Sequence, residues 1–114
     1  NAYDNLEISE GVKNNGKLTL FENIADVGAV SCMLDILSKK ENPDYKKFFE
    51  SYATTWRMIA SPEIIKQLSK TDVHSANKIR TNRTLANFEE FYEAFDIKSD
   101  DKMYVAPEDR VSLW

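Results

Sequence analysis

Two carboxylates, Glu22 and Asp26, stand four residues apart inside an almost continuously apolar stretch. In a helix this spacing places both side chains on one face, about a turn apart. The positions that continue this face, Ala29, Val30 and Met33, are apolar, so the two carboxylates are expected to be at least partly enclosed. An unpaired buried carboxylate is costly or shifts its pKa until it is neutral. The pair therefore predicts a partner that is a cation, a set of hydrogen-bond donors or a metal.

The residues alone leave two interpretations of the pair open. In the first, Glu22 and Asp26 form ion pairs with Lys or Arg at the start of the helix, where negative charge also suits the helix dipole. In the second, Glu22 is a metal ligand and Asp26 orients a metal-ligating histidine. The chain has one histidine, His74, and one cysteine, Cys32. It therefore cannot hold a two-histidine metal centre, a structural Cys/His zinc site or an internal disulfide by itself.

Length and composition exclude several classes of function. A chain of 114 residues with 42% hydrophobic and 30% charged residues is typical of one globular domain or a piece of one. The basic residues are scattered and the formal charge is −4, so nucleic acid is not an expected partner. No run of about 18 apolar residues and no secretory-signal pattern occurs, so no membrane association is expected either.

Apolar periodicity predicts a mainly α architecture with a single core. The stretch 18–37 predicts a buried helix of about five turns, in which Cys32 is a small buried hydrophobe and not a nucleophile. Asn42 and Pro43 predict the start of a second, amphipathic helix that reaches about Trp56. Ser61 and Pro62 predict the start of a third helix that ends near residue 69.

The chain after residue 70 contains a polar segment without periodicity and then an aromatic segment with helical spacing. Segment 71–86 has no sustained period and predicts a loop that crosses a site. Asn87 and Glu90 have the form of a capping box at the start of a fourth helix. Four aromatic residues at helical spacing follow this start, and we expect them in the core: Phe88, Phe91, Tyr92 and Phe95.

Three segments resemble one enzyme family. Residues 16–26, Gly-Lys-Leu-Thr-Leu-Phe-Glu-Asn-Ile-Ala-Asp, resemble the Glu-Asn-Ile-Ala-Asp helix of the neprilysin-like zinc metalloendopeptidases. Residues 71–75, Thr-Asp-Val-His-Ser, are similar to a second segment of the family, with an arginine six residues after the histidine. The chain also ends in Trp114 after Arg110 and Val111. The resemblance covers about residues 14–114 and is strongest to the bacterial oligopeptidase O members.

This resemblance implies a role for five residues. Glu22 corresponds to the third zinc ligand of a His, His, Glu set, and Asp26 to the catalytic carboxylate that hydrogen-bonds a zinc-bound histidine. His74 corresponds to the catalytic histidine that stabilises the oxyanion of the tetrahedral intermediate. Arg80 corresponds to the arginine that binds a backbone carbonyl of the substrate. Asp72, two residues before His74, is expected to orient the imidazole.

The family's His-Glu-x-x-His helix is absent from the sequence, and with it two zinc ligands and the general base. The resemblance therefore implies that residues 1–114 are the C-terminal helical portion of a zincin-type, thermolysin-like catalytic domain. The implied activity is zinc-dependent hydrolysis of oligopeptides by metal-activated water. One zinc ion is expected per intact enzyme, and the chain by itself is expected to be inactive and not to hold the ion. The implied partners are an oligopeptide substrate and the rest of the parent chain.

A second hypothesis is a non-catalytic helical interaction module in which Glu22 and Asp26 form structural ion pairs. Both hypotheses leave an apolar surface, and if helices are missing we expect an exposed patch or an oligomer at the face of Glu22, Asp26, Ala29 and Met33. One unpaired cysteine favours a bacterial cytoplasmic protein over a secreted or surface-exposed one. The tripeptide Asn-Ala-Tyr at positions 1–3 resembles a substrate-binding segment of the family but lies too close to Glu22, and we interpret it as a chance match.

Overall fold

Helices dominate residues 1–113, the part of the chain that the computed structural model describes. A short antiparallel hairpin comes first: β1 (Glu7–Ser9) pairs with β2 (Val12–Lys13), and Gly11 turns the chain at a φ of +70°. Five α-helices follow in this range: α1 (Leu20–Ser38), α2 (Tyr45–Thr55), α3 (Pro62–Thr71), α4 (Asn77–Leu85) and α5 (Glu89–Phe95), before a 3-10 turn at Pro107–Asp109. The predicted mainly α architecture is confirmed. The match at Trp114 lies outside the described residues.

Helix α1 has the predicted length, with 19 residues, but it is buried on one side only. Val27, Val30 and Leu34 are almost fully buried, whereas the side chain of Phe21 is 82% exposed. Cys32 is exposed as well, so its prediction as a buried hydrophobe was wrong. The reason is that α1 is apolar on nearly all sides, and the described helices cover one of them. Among residues 1–113, no helix is long and apolar enough to cross a membrane.

Two hydrophobic clusters pack along the covered side of α1. The aromatic core joins the second half of α1 to α2, α4 and α5 and consists of Val30, Leu34, Phe49, Leu85, Phe91 and Tyr92. The hairpin core lies against the middle of α1 and consists of Tyr3, Ile8, Val27 and Ile79. The rings of Phe49 and Phe91 meet edge to face, with centroids 5.5 Å apart. The expected core position is confirmed for Phe91 and Tyr92, whereas Phe95 is 37% exposed.

Three helix starts were predicted from capping residues, and the first two had different outcomes. Ser61 caps α3 as predicted, because its hydroxyl accepts a hydrogen bond from the Ile64 amide at 3.4 Å. Helix α2, however, begins two residues later than predicted. Asp44 caps it by accepting from the Lys47 amide at 2.9 Å, while Asn42 has a φ of +52° and stands outside the helix.

The loop prediction for segment 71–86 holds for residues 72–76, which include His74, but was wrong for residues 77–85, and the capping prediction for Asn87 was wrong. Most of the segment is α4, a helix that buries the polar Thr84 beside Ile79 and Leu85 and so has no regular apolar row. Asn87 does not cap α5, because its side chain is used elsewhere. Its amide group donates to the Arg83 carbonyl at 3.1 Å, and its oxygen accepts from the Val111 amide at 2.9 Å. Asn87 therefore ties α4 to the C-terminal segment.

Candidate active site

The first half of α1, the segment between α3 and α4, and the first turn of α4 meet in one region. Helices α1 and α4 pack against each other, and α4 begins at Asn77, directly after the segment that contains His74. All five residues that the sequence singled out lie here: Glu22, Asp26, Asp72, His74 and Arg80. The structure divides them into two groups, which are one turn of α1 apart.

Asp26 and Arg80 form the first group. The Arg80 Nε and Nη2 atoms each lie 2.8 Å from a carboxylate oxygen of Asp26, in a bidentate pair whose side chains are only 13% and 10% exposed. The hydrogen bonds to Asp26 raise the pKa of Arg80 above its ordinary value. Asp26 thus has a cationic partner, as the ion-pair interpretation requires. That partner comes from 54 residues away and not from the start of α1.

Tyr52 of α2 and Trp56, the residue directly after α2, hold Arg80 from other sides. The Arg80 guanidinium carbon lies 3.6 Å from the ring centroid of Trp56, in a cation–π contact. The Tyr52 hydroxyl donates to the Arg80 carbonyl at 3.3 Å, and burial first, then the nearby Asp26 charge, raises the pKa of Tyr52 to about 12. Sequence reasoning missed both residues. They continue the apolar row of α2 at a spacing of four residues, and nothing in that pattern separates them from ordinary core residues.

Glu22, Asp72 and His74 form the second group. The Asp72 carboxylate accepts hydrogen bonds from the His74 backbone amide at 2.9 Å and from the imidazole Nδ1 at 2.8 Å. The bond from the backbone amide is the main cause that lowers the pKa of the Asp72 carboxyl, and the imidazole adds to it. On the other side of the ring, Nε2 lies 3.4 Å from a carboxylate oxygen of Glu22. The Glu22 and His74 side chains are 39% and 41% exposed, so this group is open to solvent.

Glu22 is the carboxylate that remains accessible to a metal, because Asp26 is engaged by Arg80. Within the described residues, however, no three His, Cys, Asp or Glu side chains are grouped closely enough to hold a metal ion. The outer side of α1 next to Glu22 is apolar and exposed. It includes Ala25, Ala29 and Met33, so of the expected exposed face only Asp26 is covered.

Comparisons with known proteins show what this arrangement belongs to. A model of peptidase family M13 matches residues 1–111. A neutral endopeptidase of Lactococcus lactis is 45% identical over 112 residues, which cover 98% of this chain and 18% of the relative. Human neprilysin is 32% identical over 121 residues, which cover 95% of this chain and 16% of neprilysin.

A solved structure shows the same fold in a larger protein. The crystal structure of PEPO from Lactobacillus rhamnosis matches 99% of this chain with a TM-score of 0.88 and 36% identity, and the match covers 18% of that protein. The chain thus spans less than a fifth of the length of these relatives. The resemblance inferred from residues 16–26 and 71–80 is confirmed, and the chain belongs to peptidase family M13.

Proposed function

We propose that residues 1–114 are the C-terminal portion of the catalytic domain of a zinc metalloendopeptidase that cleaves oligopeptides. The observation that carries this proposal is the meeting of His74 with Glu22 and of Arg80 with Asp26 on adjacent turns of α1, in a chain of family M13. The upstream part of the parent protein would add the His-Glu-x-x-His helix. The chain alone is expected to be inactive.

Glu22 fits the role of a single zinc ligand. Its carboxylate is partly exposed, and the Nε2 atom of His74 lies 3.4 Å from it, a contact that can open. Carboxylate oxygen is a common third ligand beside two histidines, which this chain does not contain. When bound, zinc lowers the pKa of a water molecule toward about 7 and polarises the scissile carbonyl.

His74 is suited to stabilise negative charge on the substrate carbonyl oxygen as the peptide bond is attacked. Asp72 engages Nδ1, so the ring is fixed and Nε2 points to the side of Glu22. Donation from Nε2 while Nδ1 donates to Asp72 requires the imidazolium form. A charged donor next to the developing oxyanion gains strength as the charge grows, which lowers the barrier.

Arg80 is suited to bind a backbone carbonyl of the substrate. A guanidinium group has five N–H donors, and Asp26 accepts one hydrogen bond from Nε and one from Nη2. The contacts with Asp26 and Trp56 fix the plane of the group, so its remaining donors are held in one direction. The Asp26 carboxylate has further acceptor sites, with which it can also hold a zinc-bound histidine from the upstream part.

The exposed apolar side of α1 supports the proposal that the chain is incomplete. Phe21, Ile24 and Met33 are 82%, 43% and 48% exposed on a helix whose other side is fully packed. Exposed apolar surface of this extent marks an interaction site. We propose that the rest of the parent chain covers it, and that the 114-residue chain alone associates with itself through this surface.

A chimera tests the proposed function. The matched 112 residues of the Lactococcus lactis neutral endopeptidase are replaced by this chain, and zinc content and peptide hydrolysis are measured. We expect an active zinc enzyme. Glu22→Gln should lose both zinc and activity, whereas His74→Ala should keep zinc and lose about 10²–10³-fold in kcat. Glu50→Gln, an exposed carboxylate on α2, is the matched control and should change neither.

Two outcomes would contradict the proposal. The first is a chimera with Glu22→Gln that still holds zinc and hydrolyses peptides at the unsubstituted rate. The second is chelator-sensitive peptidase activity in the purified 114-residue chain, because a chain with one ligand cannot form the three-ligand site.

A further inference from the structure

A buried set of polar side chains lies directly beneath the exposed pair of Glu22 and His74. Asn23 follows Glu22 on α1, and Ser75 follows His74 before α4 begins. The Ser75 hydroxyl donates to the Asn23 side-chain oxygen at 2.7 Å, although 52 residues separate them. Two consecutive residues of α1 therefore contact two consecutive residues before α4. Glu22 meets His74 at the surface, and Asn23 meets Ser75 in the interior.

Two further residues complete this set, which we call the polar clamp: Asn14, Thr19, Asn23 and Ser75. The amide of Asn14 donates to Ser75 at 3.1 Å and to the Thr19 hydroxyl at 3.2 Å. The amide of Asn23 donates to the same Thr19 hydroxyl at 3.0 Å, and that hydroxyl donates to the Asn15 carbonyl at 3.0 Å. All four side chains of the clamp are at most 4% exposed.

The chemistry of the clamp differs from that of an ordinary core contact. Apolar contacts are non-directional, whereas a buried donor and acceptor lose much of their interaction when they separate or tilt. A fully paired buried network therefore specifies one relative position of the segments that carry it. Here these segments are the start of α1 and the turn that carries His74.

His74 is thus held by two different contacts. Asp72 engages both the backbone amide and Nδ1 of His74, which fixes the orientation of the ring. The Ser75–Asn23 bond joins the next residue to α1, which fixes where the ring stands relative to Glu22. Orientation and position are set by separate residues.

We propose that Asn23 and Ser75 are positioning residues, whose hydrogen bond sets the distance between the Glu22 carboxylate and the His74 imidazole. As a statement about catalysis, this inference rests on the proposed function. As a statement about geometry, it concerns the 114-residue chain itself. The two parts are tested separately.

The geometric test uses the single cysteine and the single histidine of the chain. A nitroxide label on the exposed Cys32, about 15 Å along α1 from Glu22, broadens the unique ring signals of His74 in a distance-dependent way. Ser75→Ala should change this broadening about 1.5-fold, because a site that loses its supporting contacts shifts by about 1 Å and the broadening varies with the inverse sixth power of the distance. Asn23→Ala should cause the same change, and the double variant should add nothing to it.

Thr84→Val is the matched control. Thr84 is fully buried, and its hydroxyl forms a 3.1 Å hydrogen bond with Tyr3, so the variant also loses a buried hydroxyl. It should leave the His74 broadening unchanged. The inference is overturned if Ser75→Ala and Asn23→Ala leave the broadening unchanged, or if Thr84→Val shifts it equally. If Ser75→Ala does not fold, Asn23→Ala and Ser75→Gly, which removes the hydroxyl without adding a second cysteine, provide the same comparison.

The catalytic test uses the chimera. Ser75→Ala should lower kcat about tenfold or more with little change in KM, because a catalytic group displaced by about 1 Å loses much of its effect. Thr84→Val should leave both constants unchanged. An altered His74 broadening with unaltered kcat would contradict the catalytic part alone. If Ser75→Ala and Asn23→Ala leave the His74 broadening unchanged, the positioning role is contradicted, whether or not the chimera is a peptidase.

Discussion

The two halves of helix α1 are packed by different kinds of contact. Its first half is held to the rest of the molecule by polar groups, through Asn23 in the polar clamp and Asp26 in the bidentate pair with Arg80. Its second half is held by Val30 and Leu34 in the aromatic core. The polar half specifies where side chains stand, whereas the apolar half provides the larger part of the stability. The two α1 residues of the candidate site, Glu22 and Asp26, both lie on the polar half.

The largest expected loss of stability comes from a substitution in the aromatic core, which holds the apolar half of α1. Phe49 is 1% exposed and touches Phe48, Phe91 and Phe95 with its ring. Phe49→Ala should lower the free energy of unfolding by about 3–5 kcal/mol, because a large cavity replaces the ring. Urea denaturation of the 114-residue chain measures this. A loss below about 1 kcal/mol would show that the aromatic core is not the main source of stability.

A somewhat smaller effect is expected from the polar half. Arg80→Met leaves the Asp26 carboxylate buried without its cation and should cost about 3 kcal/mol in the free energy of unfolding. Adding Asp26→Asn to this variant should recover part of the loss, because the uncompensated charge is then removed. The same denaturation assay compares the single and double variants. If the double variant is less stable than Arg80→Met, the cost does not come from the unpaired carboxylate.

A pH-dependent effect is expected at the exposed edge of the site. The hydrogen bond from the His74 amide holds the pKa of Asp72 below its ordinary value of 3.8. A group with a lowered folded-state pKa stabilises the protein above the unfolded pKa, and this contribution disappears as the pH falls through the folded value. Asp72→Asn should therefore destabilise at pH 6 by no more than about 1 kcal/mol, allowing for solvent screening.

At a pH below the folded pKa of Asp72, the variant and the unsubstituted chain should have equal stability. Denaturation at the two pH values measures the difference, and the exposed Asp100→Asn serves as the control that should show none. A stability difference that is the same at both pH values would contradict the assignment to the Asp72 charge.

The smallest effect is expected on the outer side of α1. Phe21→Ala removes a ring of the same size as Phe49→Ala, but from a side chain that is 82% exposed. The free energy of unfolding should change by no more than about 0.5 kcal/mol. Self-association, measured by analytical ultracentrifugation, should decrease. A loss of stability comparable to that of Phe49→Ala would mean that this face is packed in solution.

Local signals predicted those parts of the fold that depend on neighbouring residues. Ser61 and Pro62 located the start of α3, because a cap acts within one turn of its helix. The prediction that Asn42 caps α2 was wrong because a second capping residue, Asp44, stands two residues later and caps the helix instead. Helix α4 was missed because it buries polar contacts, which a search for apolar periodicity does not detect.

The contacts of the candidate site were even less predictable from local signals, because they join residues far apart in the sequence. The carboxylate spacing of Glu22 and Asp26 predicted enclosure and a partner, and Asp26 is indeed buried in a pair with Arg80. Which cation would fill that role could not be predicted from the residues, because Arg80 lies 54 positions away and only tertiary packing brings it near. The roles of the five site residues came from the family resemblance and stay predictions. Trp56 and Tyr52 had no sequence signal that set them apart from core residues.

The continuity of α1 has a consequence for how substitutions far from the site can act. Helix α1 is continuous from Leu20 to Ser38, so a rotation about its axis at Val30 or Leu34 also moves Glu22 and Asp26. A rotation of about 20° would displace a side-chain tip at roughly 6 Å from the axis by roughly 2 Å. Core substitutions that keep the chain folded but alter side-chain shape would then appear in an activity screen as site defects. The aromatic core thus contributes to the rotation of α1, in addition to the polar contacts that fix Asn23 and Asp26 individually.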